Sequence, residues 1–134
     1  LDDQCLARGR MTAGEVEAMM GRVSATPDDA DLAGCDLAIE AVHTHDARAA
    51  VEVYRRLGIP EVWVCDEEQL RILVRRENGR YAASESSAAF PFLKAVEIFT
   101  WVSRPGAVFE TEWLKELRRW VRDTLVPRRA GPPA

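Results

Sequence analysis

A chain of 134 residues suits one domain of ordinary size, and an apolar share of 47% is enough to bury a core. A net charge of −4 excludes a surface dedicated to coating DNA, because phosphate binding rests on Lys and Arg; it leaves room for a local basic patch. No apolar run approaches the ~18 residues of a membrane span and no signal-peptide pattern opens the chain, so the expectation is a cytoplasmic protein with no membrane partner.

Cys5, Cys35 and Cys65 are odd in number and widely spaced, with no CxxC or Cys/His zinc spacing, which reads as three free thiols in a reducing compartment. The chain begins with Leu1 rather than Met, consistent with a fragment or a non-standard start. Residues 1–35 are the least legible part. In "MTAGEVEAMMGRV", Thr12 and Glu15 make a capping-box spacing that predicts a short helix, weakened by Gly14. The turn-rich "SATPDDADLAGC", residues 24–35, reads as a loop.

From Asp36 the signals sharpen. "DLAIEAVH" predicts a short buried strand, and Asp46 caps a helix through Leu57 with Ala50, Tyr54 and Leu57 on one face. Gly58 suits a left-handed stop, and Pro60 prevents continuation. "EVWVCD" predicts a strand buried on both faces. "LRILVRR" alternates, with Leu70, Ile72 and Val74 inward and Arg71 outward. Asn78-Gly79 signals a hairpin, with "RYAASES" as the returning strand.

"FPFLKAVEIFTWVS" turns helical near Leu93 and breaks at Arg104-Pro105-Gly106. "ETEWLKELRRWVRDTLV" is an amphipathic helix with Trp113, Leu117, Trp120, Val121 and Leu125 on one stripe. "PRRAGPPA", residues 127–134, reads as a disordered tail. The order implies one α/β (α+β) domain over 1–126, with a mixed sheet and a parallel β-α-β crossover.

"DLAIE", the helix ending "YRRLGIPEVWV", and "LRILV…NGRYAASESSAAFPFL" resemble the Uma-two family of restriction endonucleases, within the PD-(D/E)XK nuclease superfamily. The similarity runs from about Asp36 to Thr100 and extends weakly to the helix at 111–125, leaving 1–35 diverged or truncated. "LGIPEVW" and "ESSAAFPFL" are its most specific strings. The resemblance implies a restriction-endonuclease-like fold whose sheet holds Mg²⁺ or Mn²⁺, with an Asp on one strand and a Glu on the next. It also implies a Lys, usually two residues after the Glu, and in this family on the following helix four before the Tyr of "YRRLG".

Glu40 matches the strand glutamate, a hard oxygen ligand for such a metal and the first catalytic candidate. Asp36 matches the acid before "LAIE". Four residues along a strand is ~13 Å, so it cannot share one ion with Glu40. The Pro-Asp strand of the family has no counterpart in "GRMTAGEVEAMMG". Glu15 is the candidate replacement as metal ligand, and Thr26-Pro27-Asp28 offers Asp28 in a loop.

The lysine positions hold Ala50 and Val42; Lys94 and Lys115, the only lysines, lie in later helices. Arg48 could act as an electrostatic clamp but not as a base, and His43 as a general base. Against these stand plainer readings. "HTHD", with His43, His45 and Asp46, is a solvated loop with a helix cap. The pairs Arg55-Arg56, Arg75-Arg76 and Arg118-Arg119 are solvated faces. The Trp113/Trp120 stripe is core or a homodimer contact.

Three outcomes follow. One is an active endonuclease on DNA using Glu15, Glu40 and His43 or Arg48. The second is a catalytically inactive nuclease fold serving as a binding or assembly module. The third is a fragment with a poorly folded N-terminus. The missing lysine favours loss of catalysis.

Overall fold

The computed structural model describes residues 12–43, 46–104 and 111–129. The chain divides into two compact units, Leu1–Asp31 and Leu32–Ala134, with the boundary inside the turn-rich loop. In the first unit, helix α1 (Ala13–Met20) starts where the capping pattern predicts. Thr12 Oγ1 accepts the Glu15 N–H at 3.1 Å, and Val16 is the helix's buried residue. Asp28 caps the turn that follows, its Oδ1 accepting the Ala30 N–H at 3.0 Å.

The second unit is built on four strands, β1 (Ala38–Ala41), β2 (Glu61–Cys65), β3 (Leu70–Arg75) and β4 (Tyr81–Ser84), in that spatial order. β1 and β2 are parallel; the other pairings are antiparallel, so the sheet is mixed. Helix α2 (Arg48–Arg56) connects β1 to β2. Asp46 Oδ1 accepts the Arg48 N–H at 2.9 Å, as the predicted cap requires. Gly58 ends the helix with φ +76°, a conformation that glycine adopts without Cβ strain.

Strand side chains alternate between faces, so the register sorts the core in two. Ala38, Val62, Val64 and Leu73 pack with Ala47, Val51, Tyr54, Leu57 and Ile59 on the α2 side. Trp63, Leu70, Ile72 and Val74 pack on the other side with Leu93 and with Ala95, Ile98 and Phe99 of helix α3 (Ala95–Val102). Ile59, Val62, Val64 and Ile72 are at most 1% exposed. Each such side chain contributes about 1.5–3 kcal/mol through burial.

Two strands differ from expectation. β1 stands at the edge of the sheet, and Ile39, on the same side as its partner Trp63, is 60% exposed where α3 does not reach it, so this strand is buried on one side only. β3 is covered on both sides, since Leu73 joins the α2 cluster while Leu70, Ile72 and Val74 join the α3 cluster. The hairpin forms as predicted. Arg76 and Arg80 close a loop whose Gly79 has φ +80°.

The last helix begins as α4 (Thr111–Trp120), widens into a π-helical stretch Val121–Leu125 and ends as α5 (Val126–Arg129). Leu125 follows Trp120 by five residues, a step that a π turn fits better than an α turn. Pro127, which lacks the N–H that would bond back one α turn, follows Leu125 by two residues. Trp101 of α3 meets Trp113 at 6.2 Å and Trp120 at 5.5 Å between ring centroids, so the tryptophans of the stripe are spent on packing, while Val121 stays exposed. The helix continues past the expected start of a tail at Pro127. Arg128 Nη1 donates to Glu97 Oε1 at 2.7 Å and ties the last turn to α3. Residues 130–134 of that tail, and the break at Pro105-Gly106, lie outside the described residues. Among the described residues no helix is long and apolar enough to cross a membrane. Cys35 and Cys65 are free; Cys5 lies outside the described residues.

Candidate functional site

Glu40 lies on β1 beside Val64 of β2, half-buried on the face that α2 covers. Its alternation with exposed Ile39 and Ala41 follows from the pleat. Tyr54, on α2, donates its phenolic O–H to Glu40 Oε2 at 2.7 Å. Sequence reasoning set Tyr54 on the inward face but gave it no chemistry. A half-buried tyrosine body with a polar tip needs an acceptor, and the acid of the adjacent strand supplies one.

The other candidates have separate partners. His43 is exposed, with Nδ1 3.9 Å from Glu67 Oε1. Arg48 is also exposed, and its Nε donates to Asp46 Oδ2. That guanidinium and the Arg48 backbone N–H hold the Asp46 carboxyl below its ordinary pKa, the backbone bond contributing most. Glu15 is exposed on α1, in the first unit. Asp28 is used as a turn cap. Asp36 is exposed before β1, lining a cleft with Pro60, Glu61 and Arg75. Ala50 stands one helical turn before Tyr54, so the position where the resemblance implies a lysine carries only a methyl group. His45 lies outside the described residues.

The most saturated acid is one the sequence did not single out. Glu61 opens β2 and is 1% exposed. Its Oε2 accepts Trp63 Nε1–H at 2.6 Å and the Ser87 hydroxyl at 2.5 Å. Its Oε1 accepts the N–H groups of Ala88 at 2.7 Å and Ala89 at 3.0 Å. Burial pushes its pKa up; the four donors outweigh that and hold it below the ordinary value. Ser87 Oγ in turn accepts the Phe90 N–H at 2.9 Å, and Ser87 N–H reaches the Leu93 carbonyl. The two strings most specific to the resemblance, "LGIPEVW" and "ESSAAFPFL", therefore meet around one carboxylate. An acid at the head of the otherwise apolar run "EVWV" was the available signal.

Among the described residues no three His, Cys, Asp or Glu side chains gather closely enough to hold a metal ion. Glu40 is a single carboxylate with a phenol bonded to one oxygen, and one carboxylate does not make a divalent-metal centre by itself. Comparison with family profiles, curated proteins and solved structures finds no match.

Proposed function

We propose that the chain is a restriction-endonuclease-like domain of the Uma-two type, in the class of Mg²⁺- or Mn²⁺-dependent DNA endonucleases, with an incomplete catalytic constellation. The observation that supports this most is Glu40, on the first strand of a parallel β-α-β unit and facing the connecting helix. The meeting of the two resemblance strings at Glu61 supports the same fold. Glu40 would be the acid that contacts metal or substrate, with His43 and Arg48 of the same unit as the residues available to assist it. Such a domain would act in the cytoplasm, where its thiols stay reduced.

A second reading is favoured by a specific observation. One oxygen of Glu40 is bonded to Tyr54, while Arg48 and His43 face Asp46 and Glu67. That arrangement suits a nuclease fold that no longer cuts and serves as a binding or assembly module, with the exposed Val121 and Val126 of the last helix as a homodimer contact.

Incubating supercoiled plasmid with the purified chain and Mg²⁺ or Mn²⁺, with EDTA as blank and Glu40→Gln in parallel, separates the two. Nicking that is lost in Glu40→Gln supports the first reading. A folded chain that leaves the plasmid intact supports the second.

A further inference from the structure

The fold gathers arginines that the sequence keeps apart. Arg55 and Arg56 end α2, and Arg75, Arg76 and Arg80 flank the β3–β4 turn. The Arg75 guanidinium lies between Gly58 and Gly79, both left-handed. A Cβ on Gly58 would sit 3.3 Å from Nη1, and one on Gly79 3.6 Å from Nη2. Arg55 and Arg75 both act on the Tyr81 phenol, against the burial that raises its pKa. The helix end and the hairpin turn therefore form one surface.

Its charge is not internally balanced. Glu52 pairs with both Arg55 and Arg56. Arg48, Arg104, Arg122 and Arg128 each meet a carboxylate elsewhere. Arg75, Arg76 and Arg80 are exposed and make no ion pair among the described residues; the nearby acids are exposed Glu77 and Asp36 and buried Glu61, whose oxygens are taken up by Trp63, Ser87, Ala88 and Ala89. In a chain of net charge −4, this is a local excess of guanidinium groups. Guanidinium suits phosphate oxygens better than ammonium does, because its donors form a planar fork.

We propose that the Arg55/Arg56 helix end and the Arg75/Arg76/Arg80 hairpin form one phosphate-contacting surface for the backbone of duplex DNA. The proposal deepens the reading above, since it says where DNA is held, but it does not require the protein to cut. Binding rests on the charge of successive phosphates and carries no sequence preference.

The test is fluorescence anisotropy of the full chain with a labelled 20-base-pair duplex, in EDTA, across a salt series. EDTA separates binding from cleavage, so failure of the plasmid assay leaves this result independent. Each phosphate contact contributes about −0.9 to the slope of log K against log salt. Replacing Arg75, Arg76 and Arg80 by Ala is expected to make the slope shallower by about 3. Replacing the same three by Lys keeps most of the slope, and Arg118→Ala with Arg119→Ala, on the last helix, leaves it unchanged. If the triple Ala variant does not fold, Arg76→Ala with Arg80→Ala is expected to lower the slope by about 2. No binding by the wild type at low salt overturns the proposal. So does a folded hairpin variant that keeps the wild-type slope, or an equal loss in the Arg118/Arg119 variant.

Discussion

Glu61 and Glu40 occupy adjacent strands of one sheet, yet they are different kinds of acid. Glu61 is almost wholly buried, with both oxygens taken up by an indole, a hydroxyl and two backbone amides. Glu40 is half-buried, with a tyrosine hydroxyl on one oxygen. The first joins a strand to a loop more than twenty residues away. The second sits at the edge strand, where solvent and ligands can approach. The strings that carry the nuclease resemblance most specifically are thus spent on a structural latch. The positions that the proposed nuclease reading would make catalytic are where the chain departs from that pattern, with Ala50 and Val42 in place of a lysine.

The largest expected effect breaks the latch. Glu61→Ala leaves four donors without an acceptor, so urea unfolding at neutral pH should show a loss of about 3–5 kcal/mol. Glu61→Gln should lose nearly as much, because its amide NH₂ faces donors. A loss below about 1 kcal/mol would mean that water replaces the carboxylate and that the two acids do not differ as described. The same comparison has a pH signature. The native pKa of Glu61 lies below its ordinary 4.5. The latch's stabilisation is therefore complete above that value and is lost as pH falls through the lowered native pKa. Glu61→Gln should lack this acid-sensitive part of the stability curve.

A smaller effect is expected at Glu40. Tyr54→Phe deletes one half-buried hydrogen bond, which corresponds to about 0.5–1.5 kcal/mol in thermal or urea unfolding. If Tyr54 only restrains the carboxylate, plasmid nicking should persist or rise in that variant. The smallest effect is at Arg48. Its side chain is 91% exposed, and Arg48→Ala should leave the melting temperature within error. A clear destabilisation would show that Arg48 does more than pair with Asp46.

Local chemistry made the main elements legible before any coordinates. The Thr12 cap, the Asp46 cap, the Gly58 stop and the Asn78-Gly79 turn all act over a few residues, and each appears where its spacing predicts. The Val/Trp run of β2 predicted burial on both faces because nothing polar interrupts it. The exposure of Ile39 was not legible, since it depends on β1 being the edge strand and on where α3 stops. The π turn at Val121–Leu125 escaped because an α-helical period fits the stripe as far as Trp120. Of the site, Glu40 and its place on the first strand were legible from the resemblance, and the direction it faces was not. Its bond to Tyr54 depends on the packing of α2 across β1.

The sequence by itself determined the order and type of elements, the absence of a lysine at Ala50 and Val42, and the acidic overall balance. These depend on residue identity and on contacts within a turn or two. Only the tertiary structure decided which charges and polar groups meet. It brought Ser87, Ala88 and Ala89 to Glu61, Tyr54 to Glu40, and Arg75 between Gly58 and Gly79. Those meetings require the sheet register and the helix placement to be set first, because a hydrogen bond or a shared phosphate surface exists only between groups within a few ångströms of each other.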